Sequence, residues 1–168
     1  MSTQYSGFVP EWLENNKVFA RDKFPNLPAP WHMTDRRQAL TESGMMTLVL
    51  TCLDPRCVPE TFFGPDYVGA TFRNAGGRAT DDAIRSLTLL KALGGLKTIA
   101  VVHHNDCGVM HVTSEDIVSK VAQDGAVAKA DAEKTDYKLF TTDQLEESVR
   151  EDVRTLRNVP TLAGINVY

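Results

Sequence analysis

No apolar run in this 168-residue chain approaches the roughly 20 residues that a membrane-spanning helix requires. Its first residues, MSTQYSGFVPEWLENNK, have neither the basic start nor the apolar stretch of a secretory signal. A soluble, cytoplasmic protein with no membrane partner is therefore expected. Basic clusters are missing too: 18 Lys and Arg stand against 22 Asp and Glu, the net charge is -4, and no basic run exceeds Arg36-Arg37. Phosphate backbones are bound by a concentrated basic face, so no nucleic-acid partner is expected. Cysteine is scarce and odd in number, three in all. That rules out a complete disulfide framework and fits thiols kept for metal or chemistry in a reducing compartment. Internal repeats and low-complexity tracts are also absent.

The remainder is ordinary for a globular domain, 42% hydrophobic and 24% charged. A chain of this length can bury about 70% of its unfolded surface, enough to fold without disulfides. Residues 1–45 read as an N-terminal arm lying across the core or across a partner subunit. A helix is expected over residues 11–20 from Trp12, Leu13 and Phe19, and the proline-rich PNLPAPW behind it is expected to lack regular structure. Residues 46–168 read as an α/β core. Strands are expected at residues 47–51 (TLVLT), 67–72 (YVGATF, ended by Gly76-Gly77) and 98–102 (TIAVV), with a last one within residues 163–168. A helix over residues 79–93 carries Ala83, Ile84, Leu87 and Leu90 on one stripe and stops at Gly94-Gly95. Thr141-x-x-Gln144 is a capping box opening a helix with Leu145, Val149, Val153 and Leu156 on one face, ended by Asn158 and Pro160. Strands alternating with helices give a mainly parallel central sheet flanked by helices.

Ligands of open parallel sheets bind beyond the carboxyl ends of the strands, and the chemistry-bearing residues fall there. Cys52 follows the first strand; His103-His104-Asn105-Asp106-Cys107-Gly108 follows the third. Zn2+ favours thiolate and imidazole in tetrahedral geometry, often from short paired spacings. His104-x-x-Cys107 is such a pair, and Cys52 supplies a third ligand from the neighbouring strand. Three protein ligands leave a fourth position for water, as catalytic zinc requires. Other readings compete. A strand-end cysteine is often a small buried hydrophobe. His103 is an alternative ligand, though as a strand residue it should face away from His104. Asp54 and Arg56 form either a surface ion pair of little worth or a working pair in which Arg56 keeps Asp54 ionised and aimed at a metal-bound water. Asp54 swung onto the metal would close the site. Cys57 completes a formal Cys3His set, a closed structural zinc in a non-enzymatic module, but reaching the metal would displace the Asp54–Arg56 pair. A phosphatase loop is excluded because only three residues separate Cys52 from Arg56. Arg73-Asn74-Ala75-Gly76-Gly77 is a weak match to a phosphate loop and reads better as a place for close backbone approach.

These pieces in this order, CLDPR (52–56), RNAGG (73–77), DDAIRSL (81–87) and HHNDCG (103–108), resemble the β-class carbonic anhydrases, closely over residues 45–120. The resemblance implies zinc held by Cys52, His104 and Cys107, an Asp54–Arg56 dyad, and an N-terminal helical arm embracing a second subunit in a homodimer or dimer of dimers. It implies reversible hydration of carbon dioxide to bicarbonate and a proton, a lyase reaction, with zinc acidifying its water from a pKa of about 15.7 to near 7. The two thiolates oppose that acidification and Asp54 offsets them by accepting a hydrogen bond. The same scaffold also supports hydrolysis of carbonyl sulfide or carbon disulfide. A narrow apolar substrate pocket is expected near the strand ends, with Phe62, Phe63, Phe72 and Val109 as candidate lining, core packing being the stronger competing role for each, and with Gly76, Gly77 and Gly108 as further candidates. Asn105, where Thr or Ser is usual, Pro55, where Ser is frequent, and Cys57, an extra thiol, depart from the family pattern.

Overall fold

The computed structural model of the chain describes residues 9–27, 38, 46–67 and 69–168. It divides into two compact units between Glu42 and Ser43. In the first, helix α1 (Val9–Val18) runs into a π-helical turn at Phe19–Lys23 and a 3-10 turn at Phe24–Asn26. None of these residues is buried within its unit. The proline-rich stretch expected to be irregular thus begins inside a helical turn, because Pro25 sits at its start, where no backbone N–H is needed. The rest of that stretch, residues 28–31, lies outside the described residues.

The second unit opens with β1 (Thr47–Cys52), a strand whose Leu48 to Cys52 are all buried. The short helix α2 (Pro59–Phe62), strand β2 (Ala70–Asn74), helix α3 (Asp81–Gly94) and strand β3 (Thr98–Val102) follow. Then come α4 (Ser114–Val121), α5 (Ala126–Ala132), α6 (Leu145–Asn158) and the two-residue β4 (Asn166–Val167). All strand pairs are parallel, in the order β2-β1-β3-β4. Among the described residues, no helix is long and apolar enough to cross a membrane.

Local chemistry accounts for these bounds. Thr80 caps α3 by accepting from the Ala83 N–H, and Gly95 ends it in the left-handed region at φ 73°, where glycine carries no Cβ penalty. Ala83 and Leu87 of the expected stripe are fully buried. The capping box of Thr141 and Gln144 forms, with a 3-10 turn at Thr142–Gln144 before α6. Helices α4 and α5 went unread in the sequence, although Thr113 and Asp116 make a capping box at the start of α4.

Strand β2 begins three residues later than expected. Tyr67 belongs to a turn closed by its N–H on Gly64 O, and its hydroxyl donates to Ala70 O at 2.7 Å. Pairing with β1 instead runs from Leu48 opposite Ala70 to Cys52 opposite Asn74, which draws the polar Arg73 and Asn74 into the strand. Val68 lies outside the described residues. The turn after β2 needs its glycines. Gly77 sits at φ 72°, and a Cβ there would lie 3.0 Å from Cys52 N and from Thr51 C. Gly77→Ala should therefore destabilise the fold by about 2 kcal/mol or more through strain and backbone collision, read as a lowered urea midpoint. An unchanged midpoint would show that the turn does not press on β1.

Candidate metal centre

Strand β1 carries Cys52 as its last residue, and β3 ends at Val102, so the chain beyond β3 is free to turn. Asp106 makes that turn at φ 53°, a left-handed conformation that Asp tolerates better than bulkier residues. The reversal returns Cys107 toward His104. One ligand atom from each of Cys52, His104 and Cys107 lies within 4.8 Å of the others. Cys52 Sγ and Cys107 Sγ are 3.7 Å apart. Two sulfurs each about 2.3 Å from one tetrahedral centre stand roughly 3.8 Å apart, so the spacing fits a shared metal. His104 Nε2 is buried and, among the described residues, has no hydrogen-bond partner, so this orphaned nitrogen suits a cation. Burial pushes the Cys107 thiol well above its usual range, so a thiolate there calls for a positive partner. The donor set therefore fits a borderline-soft metal ion.

Cys57 is buried in the same cluster as Cys52, Cys107 and Phe140, yet it is not one of the three converging donors. Burial raises its thiol pKa as well. His103 also stands apart from the three. It lies beyond β3 rather than within it, and its ring stacks on Phe140 at 5.3 Å.

Asp54 and Arg56 meet in a fork. Arg56 Nε donates to Asp54 Oδ1 at 2.9 Å and Nη2 to Oδ2 at 2.8 Å, while the Arg56 backbone N–H also reaches Oδ1 at 2.8 Å. These bonds hold the Asp54 carboxyl well below the usual carboxylate range and raise the Arg56 guanidinium. Oδ1 is thereby saturated, and Oδ2 keeps an accepting site. Arg56 Nη2 donates to Asp106 O as well, at 3.1 Å, so one guanidinium joins the loop after β1 to the loop after β3. The Asp54 N–H points at Cys52 Sγ from 3.4 Å. Arg73, unremarked in the sequence beyond its motif, wraps the loop from outside by donating to Cys52 O and Leu53 O, both at 3.0 Å.

A cavity of about 430 Å³ opens beside the cluster, lined by Arg56, Cys57, Phe62, Val102, His103, His104 and Asn105. Its described lining includes Phe62 but not Phe63, Phe72, Val109, Gly76, Gly77 or Gly108. Phe63 is exposed and packs edge-on to Phe62; Phe72 pairs with Leu50 in the sheet. Gly77 abuts Cys52, and Val109 lies 3.3 Å from where a Gly76 Cβ would be. Gly108 opens the 3-10 turn behind Cys107, facing open space.

A parallel α/β sheet presenting two cysteines, a histidine and a forked Asp–Arg pair beyond the carboxyl ends of its two inner strands defines an α/β protein with a candidate metal centre. The model of the carbonic anhydrase family matches residues 47–165, and the chain belongs to that family, in its β-class. It is 48% identical over 71 residues to a carbon disulfide hydrolase of Acidianus sp. (strain A1-3), covering 41% of this chain and 34% of that protein. It is 36% identical over 69 residues to β-carbonic anhydrase 1 of Mycobacterium tuberculosis (strain ATCC 25618 / H37Rv), covering 40% of this chain and 42% of that one. The matches thus span between a third and two fifths of those relatives' lengths. The crystal structure of a carbonic anhydrase from Streptococcus mutans superposes with a TM-score of 0.72 at 29% identity, over 98% of this chain and 90% of that one.

The fork predicts a titration. Asp54 has a folded pKa below the ordinary 3.9, so the stabilisation it gives is complete above about pH 3.9 and is lost as pH falls through the depressed value. Arg56→Gln should move the Asp54 carboxyl midpoint up toward 3.9 in a carbon-13 NMR titration. A midpoint that stays depressed in this variant would show that Arg56 is not the cause.

Proposed function

We propose that this chain holds zinc through Cys52, His104 and Cys107 and catalyses the reversible hydration of carbon dioxide to bicarbonate and a proton. The convergence of these three donors, with His104 Nε2 buried and lacking a hydrogen-bond partner among the described residues, carries the reading. Bound there, zinc would supply a Lewis acid that brings the pKa of a water from about 15.7 to near 7.

The remaining steps belong to the chain's own residues. Asp54 Oδ2, the oxygen with a spare accepting site, takes a hydrogen bond from the attacking water and turns its lone pair toward the substrate carbon. Arg56 keeps that carboxylate ionised and fixed in plane, and its second hold on Asp106 O ties the carboxylate to the loop carrying His104 and Cys107. Phe62 and Val102 give the cavity apolar wall suited to a neutral, linear triatomic substrate. The proton leaves to solvent buffer. A closed Cys3His structural zinc is disfavoured because Cys57 is outside the converging set.

Hydrolysis of carbon disulfide or carbonyl sulfide is the second reading. It is favoured by one observation, the 48% identity to a carbon disulfide hydrolase over the stretch of 71 residues. Assembly as a homodimer or dimer of dimers is part of the same proposal, since Leu13, Phe19 and Phe24 of the N-terminal unit are exposed. So is residence in a reducing, cytoplasmic compartment, where the three free cysteines stay reduced.

Cys107→Ala should lose bound zinc on gel filtration, measured by atomic absorption. Asp54→Asn should keep zinc yet lower kcat for carbon dioxide hydration on the order of a hundredfold or more. Normal turnover in that variant would remove Asp54 from the mechanism. Parallel stopped-flow assays of carbon dioxide hydration and of hydrogen sulfide release from carbonyl sulfide and carbon disulfide rank the substrates by kcat/KM. Sulfide release at the higher kcat/KM would replace the first reading by the second.

A further inference from the structure

We propose that His103, clamped by Ser148 and Asp152 of α6 and stacked on Phe140, is a positioning residue that holds the two arms of the metal centre at ligand spacing. The inference rests on the reading of Cys52, His104 and Cys107 as the ligands. The mechanism above gives His103 no part, although its side chain is only 1% exposed and it adjoins His104 in the chain.

Its partners explain the placement. Nδ1 lies 2.9 Å from Ser148 Oγ, and Nε2 lies 3.2 Å from Gly77 O and 3.2 Å from Asp152 Oδ2. Gly77 O only accepts, so Nε2 donates on that side, while Nδ1 and the Ser148 hydroxyl share the hydrogen bond on the other, and Asp152 Oδ2 stands at ion-pair distance. Asp152 Oδ2 in turn lies 2.8 Å from Arg78 Nε as an ion pair without hydrogen-bond geometry, both side chains being 3% exposed. Through its own backbone the ring fixes His104. Through the Gly77 carbonyl it holds the turn that runs so close to β1 that a Cβ on Gly77 would lie 3.0 Å from Cys52 N. Its face lies on Phe140, which packs in one cluster with Cys52 and Cys107. One imidazole thereby touches the support of all three ligands.

A requirement for stability alone does not account for the clamp. Ser148 and Asp152 occupy the buried face of α6 together with Leu156, where apolar side chains would pack. Buried charge networks add little over well-packed apolar residues. What this network contributes is a fixed distance and orientation, as polar supports behind metal ligands do.

The test uses the full chain loaded with zinc or cobalt. His103→Phe keeps an aromatic ring against Phe140 but removes both ring nitrogens, and Asp152→Asn removes the charge at constant shape. Leu156→Val, at a fully buried position of the same helix, is a destabilised control that leaves the ring's partners in place. Zinc release to a chromophoric chelator is measured for each at an equal distance below its melting temperature. His103→Phe should release zinc on the order of tenfold faster than Leu156→Val, with an altered cobalt–thiolate spectrum, and Asp152→Asn should change in the same direction. Release rates that follow melting temperature alone across the variants, or an unchanged cobalt spectrum with unchanged release, would overturn the proposal. If His103→Phe does not fold, Asp152→Asn against Leu156→Val decides by the same two readouts. A wild-type chain that takes up neither metal would instead overturn the ligand reading itself.

Discussion

The register of β1 against β3, Thr51 opposite Val102, is the constraint on which the rest of the site depends. It sets the ends of two adjacent parallel strands at the same level, so Cys52 and the chain leaving β3 emerge side by side. The buried Thr51 hydroxyl reinforces the alignment by donating to Val102 O at 2.8 Å. A slip of one residue would turn every β1 side chain to the other face of the sheet. Cys52 would then leave the cluster, and the buried run from Leu48 to Leu50 would exchange its neighbours. The core and the cluster of Cys52, His104 and Cys107 therefore select the same register, and neither can drift without breaking the other.

Given that register, the remaining geometry is supplied by polar side chains that bridge segments. Arg56 spans the two ligand-bearing loops with one planar fork, which a lysine could not do, because its single ammonium lacks the paired, fixed donors. Arg73 holds the carbonyls of the first loop from the opposite side. The ion pair of Asp54 and Arg56 is partly open to water, with Arg56 59% exposed. Screening makes such a pair a weak source of stability, and its value lies in direction. Three donors aimed at one carboxylate leave a single accepting position.

How much of this was legible in the sequence follows from the range of the interactions involved. Strand β3, the stop at Gly95, the capping box Thr141-x-x-Gln144 ahead of α6 and the placement of Cys52 and His103-His104 at strand ends all rest on local pattern, and the structure repeats them. The start of β2 was misread because Tyr67 has strand propensity but spends its hydroxyl on a turn, which no pattern in YVGATF reveals. The buried clamp of Ser148 and Asp152 was missed for a different reason. Four residues apart on the apolar face of α6, they were a visible interruption beside Val149 and Val153, yet their partners are His103 and Arg78, far away in sequence. Arg73 and Arg78 show the same limit: each acts on backbone or carboxylate groups that only the fold brings near.

The substrates separating the two proposed activities share more than they differ. Carbon dioxide, carbonyl sulfide and carbon disulfide are neutral, linear triatomics with an electrophilic central carbon, so one nucleophile and one orienting carboxylate serve them all. The cavity beside the cluster, about 430 Å³, exceeds what any of the three fills. Simple exclusion by size is thus a poor discriminator at this wall. What can discriminate is the surface that the terminal atoms meet. Sulfur is larger, more polarisable and a weaker hydrogen-bond acceptor than oxygen, so apolar contacts with Phe62, Val102 and Cys57 favour it. A polar group such as Asn105, exposed at the rim and able to donate, favours oxygen and the charged bicarbonate product. Both kinds of wall are present here on opposite terms, so under the proposed activities the balance of specificity would fall on Asn105 and Phe62, and the proposed role of Cys52, His104 and Cys107 would be the same under either reading.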